Sequence, residues 1–115
     1  MRPLELARRY MTILFGDGDL EQLMTLFADE FHFSGPFYEF GSARAYVDAL
    51  KAGPLRDYSY ETIGEFENND SACILFRFSR PGVSVVMSGY FGISHDKIDK
   101  VLLIFDTAPF AQPVS

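Results

Sequence analysis

The chain has 115 residues, enough for one hydrophobic core and a single domain. Hydrophobic residues make up 48% and charged residues 23%, which excludes a disordered chain. The formal net charge of -6 argues against nucleic acid as a partner, and the single cysteine, Cys73, excludes an internal disulfide and any multi-cysteine metal site.

Charges recur from Met1 to Arg9, and the apolar run after Arg9 stops at Gly16. That pattern fits neither a signal peptide nor a membrane span, so a soluble, cytoplasmic protein without a membrane partner is expected. Pro3 opens a helix that runs to about Phe15, with Leu6, Tyr10, Ile13 and Leu14 on one face. Gly16-Asp17-Gly18 breaks it. Asp19 then caps a second helix from Leu20 to about Ala28, whose apolar face carries Leu20, Leu23, Met24 and Phe27. Phe31-His32-Phe33 alternates as a strand up to Gly35-Pro36, and Phe37 to Phe40 reads as a second short strand. Ser42 caps a third helix over Ala43 to Lys51, ended by Gly53-Pro54.

From Tyr58 onward the period is two. Strands are expected from Tyr58, over Ser71 to Arg80, over Val83 to Ser94, and over Ile98 to Asp106. The turns between them are Asn68-Asn69-Asp70, Pro81-Gly82 and His95-Asp96-Lys97. Short turns make these strands antiparallel neighbours, giving an α+β domain over residues 1–107 and an irregular tail over 108–115. The last strand is apolar on both faces, with Val101, Leu103 and Phe105 on one and Leu102 and Ile104 on the other. The strand before it behaves alike, with Met87 and Phe91 set against Val86 and Tyr90. Helices cover one face of such a sheet; a second copy of the chain or the C-terminal tail must cover the other. The tail is short and broken by proline, which favours a homodimer through the outer sheet face.

This order of elements resembles the nuclear transport factor 2-like superfamily, which includes SnoaL-like polyketide cyclases and ketosteroid isomerases. Local runs carry the resemblance too: Arg9-Tyr10, Gly18-Asp19-Leu20-Glu21, Leu26 to Glu30, Gly35-Pro36 and Gly41 to Ala45. The resemblance covers residues 4 to 106. It implies a cystatin-like cone, with three N-terminal helices packed on a curved antiparallel sheet. It also implies an apolar pocket inside and dimers through the outer sheet face. Ketosteroid isomerases use an Asp base and an oxyanion hole made of a Tyr and a protonated acid. The resemblance places the tyrosine at Tyr10, the base at Gly35 before Pro36, and the acid near Gly89. Only the tyrosine keeps a functional side chain.

The other candidates for chemistry read as structural. Alternation points His32 away from Phe31 and Phe33, and His95 lies in a turn. Asp17, Asp19 and Glu21 begin like a calcium loop, but the sixth and twelfth positions are Gln22 and Ala28. Cys73 reads as a small core residue, Arg77 as outward-facing, and Glu61, Glu65 and Glu67 as one solvated strand face. No metal site and no cofactor is expected. The expected cavity lining is Tyr10, Phe33, Phe37, Tyr58 and Tyr60 with Phe76, Phe78, Met87, Phe91 and Phe105. The expected ligand is a hydrophobic small molecule. With the resemblance, two readings follow. One is a SnoaL-like isomerase, cyclase or dehydratase of a hydrophobic carbonyl compound, with Tyr10 polarising the carbonyl. The other is a non-catalytic ligand-binding or dimerising module.

Overall fold

A computed structural model of the protein describes residues 1–16, 18–53 and 57–111. Helix α1 (Pro3–Phe15) has Pro3 in its first turn, where a missing N–H costs nothing, and buries Leu6, Ala7, Tyr10 and Met11. Its polar side is tied to a distant strand, β3 (Ser59–Glu67). The Leu4 N–H donates to the Glu67 carboxylate at 3.1 Å, and Arg2 pairs with the same carboxylate. Arg8 grips Glu65 with two bonds of 2.8 Å.

Asp19 caps the next segment by accepting the Glu21 N–H at 2.9 Å. The helix expected from Leu20 to Ala28 is only a 3-10 turn, Leu20–Thr25, and strand β1 (Phe27–Ser34) takes over its end. The Leu26 carbonyl accepts the Ile98 N–H at 2.7 Å, and Phe27 sits opposite Ile98. Pairing with a strand 71 residues away thus overrides the local helical spacing of Leu23, Met24 and Phe27. The count of three N-terminal α-helices is corrected accordingly: two α-helices and one 3-10 turn. Helix α2 (Ala43–Ala52) starts where Ser42 accepts the Ala45 N–H at 3.1 Å. Gly53 ends it, and Pro54 lies outside the described residues, as do Asp17 and residues 112–115. Arg44 on α2 reaches Glu21 with bonds of 2.7 and 2.8 Å, and Lys51 meets the same carboxylate at 2.5 Å. These cations hold Glu21 down at about 2, first through the Arg44 hydrogen bond and then through Lys51.

Strand β2 is only Glu39–Phe40. Strands β4 (Ser71–Arg80), β5 (Val83–Ser94) and β6 (Lys97–Phe105) complete one sheet of order β2-β1-β6-β5-β4-β3. The β4–β5 turn has Gly82 at φ 81, a conformation that favours glycine. The β5–β6 turn has His95 and Asp96 at φ 53 and 62, a two-residue turn that matches strand twist. The sheet is mixed, not wholly antiparallel as expected, because β1 runs parallel to β6. The intervening helix α2 and four strands, β2 to β5, supply the long crossover that parallel pairing needs.

A bulge between Thr62 and Gly64 corrects a second expectation. It shifts the side-chain parity of β3, so Glu61 faces Arg77's side of the sheet while Glu65 and Glu67 turn to α1. The three glutamates do not form one solvated face. Cys73 is also corrected: it is half-buried on the outer face, with its Sγ 3.2 Å from the Ser88 hydroxyl. One ladder row there runs Phe66, Cys73, Tyr90, Leu102, with Ile104 on the next row. Phe66 and Ile104 keep 61% and 56% of their surface exposed, so this face is apolar and is not covered by the described residues. The inner face, carrying Ile74, Phe76, Met87, Phe91 and Val101, packs with α1 and α2 into the core.

Candidate functional site

The core does not fill completely. Between the inner sheet face and the helices lies an apolar cavity of about 710 Å³. Both α-helices, five of the six strands, loops beside the strands and a C-terminal 3-10 turn contribute side chains. Helix α1 supplies Tyr10, β1 supplies Phe33, and the loop before β2 supplies Phe37. Phe76 and Phe78 come from β4, Met87 and Phe91 from β5, and Phe105 from β6; Tyr58 reaches in from just before β3. Tyr60 does not reach the cavity. Its ring packs 4.7 Å from Phe15, which stands between it and the space.

The inner end is built around two phenols. Tyr10 and Tyr46 each retain 4% of their surface, and their hydroxyls lie 2.5 Å apart. The Tyr10 ring meets Phe91 edge-on at 5.1 Å, and the Tyr46 ring stacks on Phe33 at 4.6 Å. The rings are therefore fixed, and the hydroxyls face each other. Burial pushes both phenols well above their ordinary pKa. The bond from Tyr46 partly offsets this for Tyr10, whereas proximity to Tyr10 raises Tyr46 further. Both are neutral hydrogen-bond donors at any physiological pH.

The other end carries Arg80, half-buried at the end of β4. It donates to the Tyr58 hydroxyl at 3.1 Å and lies over the rings of Phe110 (5.1 Å) and Tyr58 (5.8 Å). Phe110 belongs to a second 3-10 turn, Ala108–Ala111, and packs on Phe37 and Phe105. Gly35 and Gly89 both line the cavity. A Cβ at either would sit 3.3 Å from a ring, that of Phe33 or Phe91, so neither place leaves spare room. Among the described lining residues the ionisable side chains are four tyrosines and Arg80; none is a carboxylate, imidazole or amine.

The remaining candidates lie elsewhere. His32 and Arg77 are exposed on the outer face, and His95 in its turn bonds the Ser94 hydroxyl at 3.0 Å. Asp19 and Glu21 serve the cap and the Arg44 pair, and Asp17 lies outside the described residues. No group of three or more His, Cys, Asp and Glu could hold a metal among the described residues. No helix of the described residues is long and apolar enough to cross a membrane. Sequence reasoning missed Tyr46, Arg80 and Phe110. Arg80 was within reach, since it shares the parity of Phe76 and Phe78.

The family model of the SnoaL-like domain matches residues 7–99. The chain belongs to this SnoaL-like family. Solved structures agree in fold. An NTF2-like protein from Burkholderia thailandensis has a TM-score of 0.80 at 15% identity, covering 98% of this chain and 99% of its own. An NTF2-like protein of unknown function from Cytophaga hutchinsonii has a TM-score of 0.74 at 16% identity, covering 94% and 93%. An LEH-like epoxide hydrolase of M. tuberculosis has a TM-score of 0.76 at 12% identity, covering 91% and 83%. Such identities establish the nuclear transport factor 2-like fold and no more. No curated protein matches the sequence. The SnoaL-like chain thus carries the α+β architecture of its structural neighbours.

Proposed function

We propose that this SnoaL-like chain binds a hydrophobic carbonyl compound in the cavity and that the Tyr10–Tyr46 pair hydrogen-bonds the carbonyl oxygen. The observation that carries this reading is the buried hydroxyl pair lining an apolar space. Two phenols hold two protons, and their mutual bond uses one. The other proton is the donor for a bound oxygen, in a setting dry enough to make that bond strong. The volume lies within the range of small-molecule sites, about 300–1,000 Å³. Such polarisation serves isomerisation, cyclisation or dehydration, with the proton moved by water or by the substrate itself. The chain is proposed to act as a homodimer joined through the outer face carrying Phe66, Tyr90, Leu102 and Ile104.

One observation favours a second reading, capture without turnover: the described cavity lining holds no carboxylate or imidazole to act as base. A thermal-shift screen of ring-containing hydrophobic ketones, followed by a turnover assay on each hit, separates the two. Catalysis predicts product formation that falls at least about tenfold in Tyr10→Phe. Saturable binding with no product supports capture. Turnover unaffected by Tyr10→Phe overturns the role given to the pair.

A further inference from the structure

Arg80 is the single formal charge among the described residues that line an otherwise apolar cavity. Buried or half-buried arginines are ordinarily matched by a carboxylate, because a desolvated charge is costly alone. Among the described residues Arg80 forms no ion pair, whereas Arg2, Arg8 and Arg44 each do. Of its five N–H donors, one goes to the Tyr58 hydroxyl, and no other acceptor meets it among the described residues. The rings of Tyr58 and Phe110 hold the guanidinium plane in place. A fixed, weakly hydrated fork with unused donors at the rim of an apolar cavity matches the geometry of a carboxylate.

We propose that Arg80 anchors the carboxylate of the ligand, so that the cavity takes apolar carboxylic acids. This rests on the reading of the cavity as a ligand site and narrows the class of compound. The anchor and the tyrosine pair stand at opposite ends. Arg80 pairs with Val83, whereas Phe91, against which Tyr10 packs, pairs with Ala72 eight residues back along β4. That separation is on the order of 25 Å of extended backbone. The ligand therefore has an elongated apolar body, with its acid at Arg80 and its carbonyl toward Tyr10. The anchor also gives binding a sign: among the described lining residues the charge is a cation, so an anionic head is favoured at this end of the cavity over a cationic one.

The test compares three probes of equal chain length, decanoate, decanol and decylamine, by titration calorimetry on the full chain. The expected order is decanoate tightest, at least about tenfold over decanol, with decylamine weakest. In Arg80→Met the decanoate advantage disappears and the decanol affinity stays; Arg80→Lys retains part of it. If neither variant folds, the native protein still decides. Its decanoate affinity must fall as salt is raised from 0.05 to about 0.5 M while that for decanol does not. Equal affinity for the acid and the alcohol overturns the anchor and leaves the cavity reading standing. No binding of any probe overturns the cavity reading, and the anchor with it.

Discussion

The hydroxyl pair at the inner end makes a prediction that does not need the ligand. Tyr10→Phe leaves the Tyr46 hydroxyl buried without its partner, and Tyr46→Phe does the same to Tyr10. An orphaned buried hydroxyl costs about 1–3 kcal/mol, because it loses water without regaining a bond. Both rings stay, so their contacts with Phe91 and Phe33 are kept and no large cavity opens. The double variant removes both hydroxyls, leaving no orphan, and loses only the net worth of one bond, about 1 kcal/mol. The singles together should therefore exceed the double by about 1–5 kcal/mol. Urea unfolding of the four proteins measures this, provided the slope with denaturant is unchanged. Singles that add within about 0.5 kcal/mol would refute the coupling and mean that solvent already reaches both hydroxyls.

Acid should loosen the contacts between the helices and their neighbours. Glu21, held down at about 2 by Arg44 and Lys51, and Glu65, held down by Arg8, are ionised more readily in the folded chain than in the unfolded one. Their contribution is complete above the unfolded value of about 4.3, and it is lost as pH falls toward the folded values. The urea midpoint should thus drop between about pH 5 and pH 2, and more shallowly in Glu65→Gln; an identical slope would count against the Arg8 pair. On the outer face, Ile104→Glu places two like charges at a two-fold contact and should shift the chain from dimer to monomer in analytical ultracentrifugation. A native chain already monomeric at tens of micromolar would remove the proposed dimer.

Much of this fold is legible in the sequence because local signals agree. Pro3 and Gly16 bound α1, and Pro81-Gly82 with strict alternation bounds β4 and β5. The misreadings arise where long-range pairing decides. Phe27 has helical spacing from Leu23, yet Ile98 recruits it into β1. Gly64, a glycine inside a strand, is the one local mark of the bulge that turns Glu65 and Glu67 toward α1, and the period-two reading passes over it. The cavity was legible from inward parity, which gives Phe76, Phe78, Met87, Phe91 and Phe105 without knowledge of the sheet order. Tyr60 obeys the same parity but meets Phe15, a contact that depends on how α1 crosses the sheet. Tyr46 was missed because a tyrosine on a helix reads as core until its hydroxyl finds Tyr10. Arg80 was overlooked because the adjacent turn signal reads as surface.

If the proposed function holds, the space between Tyr10 and Arg80 takes up a ligand. A crystal structure of the chain grown with a ligand from the thermal-shift screen tests it most directly. Density is expected inside the cavity, between Phe33, Phe91 and Phe105, with an oxygen within about 3 Å of the Tyr10 or Tyr46 hydroxyl. Density only on the outer face, over Tyr90 and Ile104, would contradict it.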